Sequence, residues 1–360
     1  MKKTKLLLHT GLLGTLLLSG SVTALADEAE LVPIESLKPA VPMVKPVLTG
    51  TGGSLILSDS PESPKTEGAY YRDTVTGSFR VFWHHQNMTG EPLTVAVAVT
   101  NEADEPVMLF SEGIGLATDY YPDVAGQNAL ADFMSNHAAQ KKEAILQPGE
   151  SYYLTALTEN TYTASGIANF TAYTQKGHRE ATVTVTTLGY KEQPGSPLDV
   201  PILTKDMHVR GTFPHADRTG TLQYNTSSGN SLIRISSAAS GPWSDSMPGE
   251  YEEGWNAVDG GTVINNGNYG VMYHLNVDIN NEEDVKRVIS VYDNPSGGAG
   301  HYVIGWGKDL LQSPFVNYQK AWKFTEFTVN KKGKTVAAEL SLTGGAAGPQ
   351  TLYFTNSDVK

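Results

Sequence analysis

The chain has 360 residues, 26 basic and 38 acidic for a formal charge of −12, and it contains no cysteine. Net negative charge argues against nucleic acid or an anionic membrane as partner. Without cysteine no disulfide can staple the fold, so stability must come from packing of a sizeable core.

Met1-Lys2-Lys3-Thr4-Lys5 is a basic head, Leu6 to about Gly20 an apolar run, and Ala24-Leu25-Ala26 a small-x-small site. That is the layout of a secretory signal peptide over residues 1–26, cleaved after Ala26. Its removal takes three lysines and leaves a charge of −15. No later stretch approaches the roughly 20 apolar residues of a spanning helix, so the mature chain is expected to have no membrane span. A cysteine-free exported chain fits a Gram-positive bacterium. With no lipoprotein cysteine and no C-terminal sorting signal, the expected location is secreted or non-covalently associated with the cell surface.

Residues 27–68 are rich in proline, serine and glycine, from Val32-Pro33 and Lys38-Pro39 to Ser60-Pro61-Glu62-Ser63-Pro64. Closely spaced prolines favour extended polyproline conformations, so this segment reads as a linker. Only Leu55-Ile56-Leu57 within it is suited to join a sheet.

A first β-domain is expected over residues 69–189. Gly77-Ser78-Phe79-Arg80-Val81-Phe82-Trp83-His84 is an aromatic and β-branched strand. Leu93 to Thr100 alternates at period two. Val107 to Phe110, Tyr152 to Leu157, Ala168 to Tyr173 and Ala181 to Leu188 complete the set. Between Gln127 and Glu143 the period changes, with Leu130, Phe133, Met134, His137 and Ala138 on one helical face. Short strands with turn signals and one inserted helix predict an immunoglobulin-like sandwich.

Pro194-Gly195-Ser196-Pro197 and Pro201 place an interdomain linker at residues 190–201. A second, larger domain over 202–356 offers about nine strand candidates: Met207–Phe213, Thr221–Tyr224, Ser231–Ser236, Gly270–Ile279, Val285–Tyr292, His301–Gly305, Ala321–Val329, Thr335–Leu342 and Thr351–Thr355. That number suggests a second sandwich or a jelly roll. The predicted fold class is therefore all-β, two consecutive β-sandwich domains. The order strand, polar turn at 101–106, strand is echoed by strand, turn at 280–284, strand, and both read as hairpins. The turn at Asp278–Asp284 begins like a calcium loop but lacks its central Gly and closing Glu. The glycine-rich stretches 294–300 and 343–349 read as hairpin turns as well.

The Gly77–Asn87 stretch, the phrase His208-Val209-Arg210-Gly211-Thr212-Phe213-Pro214-His215-Ala216-Asp217-Arg218 and Gly267–His274 resemble segments of exported proteins of Gram-positive bacilli. Some of these carry a copper-amine-oxidase-like N-terminal stalk domain, a name taken from similarity and not from oxidase activity. The resemblance covers most of residues 69–356 and implies two exported β-domains without an assigned catalytic role. The stalk repeat itself, a strand pair ending in a Val-Pro-Leu-Arg-like phrase, is absent here.

Nucleophile motifs and phosphate-cradling loops are missing, so no catalytic residue and no cofactor is expected. Two candidate sites stand out. The stretch Trp243 to Asn256 is acidic and aromatic, with Trp243, Asp245, Glu250, Tyr251, Glu252, Glu253 and Trp255. Flat rings stack on sugar faces and paired acids serve glycoside cleavage, so this stretch suits glycan binding or a carbohydrate-active enzyme, or else packs on itself as a surface loop. His208, His215 and Asp217 could contribute to a copper or zinc site, with a further ligand from His274 or His301. His84 and His85 are adjacent and in a strand point to opposite faces, so they cannot chelate one ion together. The preferred reading is an exported, non-catalytic protein with a binding or structural role at the cell envelope, partnered by cell-wall glycan or another envelope protein.

Overall fold

Alternation along Ser78–Gln86 sends Phe79, Val81 and Trp83 into one hydrophobic core and Phe82 into another. The whole molecule follows from that division. In the computed structural model, which describes residues 30–60, 64–136, 140–204 and 209–358, this strand lies near the middle of an eight-stranded sheet. The order is Gly261–Ile264, Glu253–Asn256, Val209–Phe213, Ser54–Ser60, Ser78–Gln86, Thr163–Thr174, Val107–Asp119 and Lys141–Leu146. One of its faces packs on a four-stranded sheet of Ser151–Thr158, Leu93–Thr100, Thr182–Tyr190 and Gly68–Thr76. Val95, Val97, Val99, Val183 and Val185 share this core with Trp83. Gly166, paired with Trp83, leaves room for the indole, since a Cβ would lie 2.0 Å from the ring.

The opposite face carries the helix Pro122–Asn136. Leu130, Phe133 and Met134 do share its buried face, as expected from their spacing. The helix begins before the predicted Gln127, with Pro122 in its first turn where a missing N–H costs nothing. Lys141–Leu146 is edge strand rather than helix, and His137 and Ala138 lie outside the described residues. Gly115 lets the helix sit directly on the sheet, since a Cβ there would lie 1.8 Å from the Ala129 carbonyl oxygen.

The second sandwich faces two six-stranded sheets. One runs Leu31–Pro33, Lys320–Val329, Arg287–Pro295, Gln350–Asp358, Ser231–Ile235 and Val41–Pro42; the other runs Asp309–Gln312, Val303–Trp306, Lys334–Leu340, Met272–Asn280, Asp217–Asn225 and Thr49–Thr51. All nine strand candidates lie in these sheets or in the eight-stranded one, although Met207 and His208 lie outside the described residues. The fold is all-β with one α-helix among the described residues.

Three expectations need correction. The signal peptide at residues 1–26 lies outside the described residues, but the linker that follows does not behave as one. Leu31–Pro33 and Val41–Pro42 form the two edges of one sheet, and Thr49–Thr51 forms an edge of its partner. Ser54–Ser60 inserts between Val209–Phe213 and Ser78–Gln86, with Leu55, Ile56 and Leu57 fully buried. Prolines are compatible with edge positions because no neighbour needs their N–H. Second, the sandwiches are not separate: residues from both predicted domains share the eight-stranded sheet, joined through Ser54–Ser60.

Third, the two echoed hairpins are corners that cross between sheets. Leu93–Thr100 and Val107–Asp119 belong to opposite sheets of the first sandwich, and Met272–Asn280 and Arg287–Pro295 to opposite sheets of the second. A buried asparagine holds each corner. Asn101 Nδ2 donates to the carbonyls of Glu105 (2.9 Å) and Leu146 (3.0 Å), and its Oδ1 accepts from Ala103 N–H. Asn281 repeats the pattern with Val285, Val329 and Glu283, and Asn87 with Glu91, Thr158 and Thr89. The glycine-rich stretches 294–300 and 343–349 also pass between the two sheets of the second sandwich and interlock, with Ala347 N–H donating to the Ala299 carbonyl.

Candidate functional site

The chain leaves Ile235 at the end of a buried strand and turns at Ser236, whose φ of +59° is left-handed. What holds the following loop is one of its own carboxylates. Glu250, 0 % exposed, accepts hydrogen bonds from Ser236 N–H (2.8 Å), Met247 N–H (2.7 Å) and the Tyr273 hydroxyl (2.9 Å). Its backbone carbonyl accepts from Arg218 Nε and Asn268 Nδ2. Burial raises the Glu250 pKa, with these donors acting against the rise. The Tyr251 hydroxyl donates to the Ser237 carbonyl. Curled around this brace, the loop turns its other side outward.

That side forms a wall of a cleft of about 910 Å³. Trp243, 82 % exposed, stands on the rim, and Tyr318 also lines the cleft and is more than half exposed. Gly297, Gly348 and Pro349 from the interlocked glycine-rich loops line it too, with Leu342 and Tyr269. The Tyr269 hydroxyl donates to the Ala346 carbonyl and so ties the cleft to the loop. The charged lining residues of the cleft are Arg234 and Asp245. Arg234 Nη1 lies 2.8 Å from Asp245 Oδ2, and Lys45 from the N-terminal segment bonds the other carboxylate oxygen. Burial would raise the Asp245 pKa, but the Lys45 and Arg234 hydrogen bonds outweigh it and hold the carboxyl below its ordinary range. Ser236 also lines the cleft, with its Oγ buried.

The candidate residues of the acidic stretch therefore divide. Trp243 and Asp245 line the cleft; Glu250 and Tyr251 brace it from beneath. Glu252 faces another way, with Oε1 2.8 Å from His215 Nδ1 and Oε2 3.1 Å from Arg218 Nη2. Glu253 and Trp255 belong to a strand of the eight-stranded sheet; both are exposed, with Trp255 paired to Thr212. Both tryptophans of the stretch are exposed, Trp243 at 82% and Trp255 at 53%.

The histidine candidates fall at the seam between the sandwiches. Arg80, 3 % exposed, donates to Asn169 Oδ1 (2.7 Å), to the carbonyls of Ala216 (2.6 Å) and Gly270 (3.1 Å), and pairs with Asp217 at 2.8 Å. His274 lies between Asp217 (3.6 Å) and Glu339 (3.3 Å). Hydrogen bonding to these two carboxylates raises its pKa to about 9. Burial alone would raise the Asp217 pKa; His274 and Arg80 reverse this and lower it. His215 and Asp217 thus have different partners, Glu252 for the first and Arg80 and His274 for the second, while His208 lies outside the described residues. Among the described residues no group of three or more His, Asp or Glu side chains could hold a metal. His84 and His85 do face opposite ways: His85 bonds Ser58 (3.0 Å), whereas His84 is buried beside Gly344 and Ser165.

Sequence reasoning missed Arg80, Arg234, Lys45 and Tyr318. Arg80 was legible as an odd cation inside an apolar strand. The other three are brought to their places by tertiary contacts alone.

No protein-family model and no curated protein matches the chain. Among solved structures, similarity is reported to the M60 catalytic domain with the CBM51-1 and CBM51-2 domains of Clostridium perfringens ZmpB, at 6% identity and a TM-score of 0.16. That alignment covers 91% of this chain and 39% of the other, so the chain spans well under half the length of that structure. The CUB1-EGF-CUB2 domains of human MASP-1/3 align at 10% identity and a TM-score of 0.17, covering 85% and 99% of the two chains. The CBM22-1-CBM22-2 tandem of Paenibacillus barcinonensis Xyn10C aligns at 9% identity and 0.15, covering 89% and 92%. Scores this small carry no argument, and the all-β assignment rests on the strands themselves.

Proposed function

We propose that the mature chain is an exported, non-catalytic binding protein of the cell envelope that holds a cell-wall glycan in the Trp243 cleft. The exposed Trp243 ring on the rim of a 910 Å³ cleft is the observation that carries this reading. An indole left in water costs hydrophobic free energy unless a partner covers it, and sugar rings present apolar faces suited to stacking. Arg234, Asp245 and the serines along the wall supply donors and acceptors for hydroxyl groups. Binding is favoured over hydrolysis because glycoside cleavage uses two opposed carboxylates. Asp245 is the one carboxylate lining this cleft among the described residues, and two cations hold it ionised. Glu250, the next acid of the loop, is sealed beneath by three hydrogen bonds. The basic head and apolar run at the N-terminus support export.

The test is retention of the full mature chain on purified bacterial wall glycan, alongside Trp243→Ala. Retention of the parent and loss of at least about tenfold in affinity for the variant is expected, as for an aromatic residue that carries much of the binding energy. Absence of retention, or a variant that binds as well as the parent, would sink the reading. Release of reducing ends from the same glycan would instead favour the enzyme.

A further inference from the structure

Exposed aromatic side chains are not scattered over this molecule. Of seven among the described residues, Trp255 stands on the strand Glu253–Asn256, and the other six are linked in sequence and space as follows. Trp243 and Tyr318 line the cleft. Three residues before Tyr318, Phe315 packs its ring against His301, with centroids 5.6 Å apart. His301 Nδ1 lies 2.8 Å from Asp123 Oδ2, at the start of the helix on the first sandwich. Just before that helix, Tyr121 meets Tyr120 edge to face at 5.2 Å, and Tyr120 meets Tyr162 at 6.0 Å. The loop 343–349 bridges the two ends. Its Gly345 is so close to the helix that a Cβ would lie 2.7 Å from Asp123 N, while Gly348 and Pro349 of the same loop line the cleft.

From this continuity, and resting on the cleft reading above, we infer that the three tyrosines form a second glycan subsite, so that one polysaccharide strand spans from the Trp243 cleft across the glycine-rich loop to the first sandwich. A single compact ligand would need only the cleft. A polymer explains why rings remain exposed on both sandwiches and why small residues lie between them, where a chain must pass close to backbone. Tyr120 meets both neighbours nearly at right angles, at 88° and 73°, so the rings offer faces in more than one direction. Each ring carries a hydroxyl suited to sugar. Two linked sites on one strand behave as an intramolecular pair and multiply affinity.

The probes are bacterial wall glycan strands of graded length, released from purified sacculi, and the disaccharide-sized fragments from the same digest. They are titrated against the full mature chain, Tyr120→Ala/Tyr121→Ala and Trp243→Ala, each first shown to be folded by circular dichroism. Long strands are expected to bind about tenfold or more tighter than the short fragments. The double tyrosine variant should lower long-strand affinity to the short-fragment level and leave the short fragments unchanged; Trp243→Ala should weaken both. Equal affinity at all lengths with silent tyrosines would overturn the second subsite while leaving the cleft intact. Loss of short-fragment binding in the tyrosine variant would overturn it too, since the sites would not be separate. No binding at any length, or a silent Trp243→Ala, would overturn the cleft reading and this inference together.

Discussion

At the seam between the sandwiches, Arg80 and Asp217 lie 2.8 Å apart with side chains 4% and 19% exposed. At the cleft, Arg234 and Asp245 lie at the same separation with both side chains 35% exposed. The residue types and geometry match, so exposure is what separates their roles. A buried pair cannot lose one member without leaving the other unsolvated, which commits it to architecture. An exposed pair is worth little to stability, and its remaining donors and acceptors stay available to a ligand. The same contrast divides the acidic loop itself: Glu250 is fixed inward by three donors, whereas Trp243 is turned outward.

Removing Arg80 is the most severe way to test that contrast. Arg80→Ala strands Asp217 and the carbonyls of Ala216 and Gly270, and is expected to destabilise the fold by about 3–5 kcal/mol in urea unfolding. Arg234→Ala, its counterpart at the cleft, should stay within about 1 kcal/mol of the parent; equal losses would erase the distinction.

Next in size are the corner asparagines. Asn101→Ala leaves two carbonyls without their donor, and a loss of about 1–3 kcal/mol is expected. Asn281→Ala should behave alike, because it makes the same three bonds. A neutral result at either position in thermal unfolding would show that water replaces the side chain.

Trp243→Ala sharpens the comparison from the other side, since stability should change by no more than about 0.5 kcal/mol while glycan retention falls. A large stability loss would mean that the ring packs after all.

The smallest expected effect is one of pH. His274 has its pKa raised to about 9 in the folded protein, so its contribution is complete below the unfolded value near 6.5 and is lost as pH rises toward 9. Asp217, whose pKa is lowered, contributes above the unfolded value and loses that contribution as pH falls. The difference in melting temperature between the parent and His274→Gln should therefore be greatest between about pH 4 and 6.5 and shrink by pH 9. Partial exposure of the ring screens the effect. A difference independent of pH would detach His274 from the seam.

Much of the fold was legible because strands announce themselves by alternation. Leu93–Thr100 was expected at the bounds it has, and each of the nine later candidates corresponds to a strand. Helix bounds were less legible, since Pro122 and Asp123 mark its start only if the preceding strand is known to run on to Asp119. The prolines of residues 27–68 were misread: composition reports backbone stiffness and not whether a sheet edge waits nearby. Of the acidic aromatic stretch, Trp243 and Asp245 line the cleft, and sequence could not sort its members into those facing the cleft and those facing the interior.

By itself, then, the sequence determined the elements: period-two patterning, proline and glycine punctuation, and a cysteine-free apolar content sufficient for a core. Those are local properties, set by each residue's own backbone and immediate neighbours. Tertiary structure alone decided which strands share a sheet, that Ser54–Ser60 joins the two sandwiches, and that Arg234, Trp243 and Tyr318 line one cleft with Lys45 bonded to its Asp245. Such pairings rest on contacts between residues far apart in the chain, and no short window of sequence records which distant surface a side chain will face.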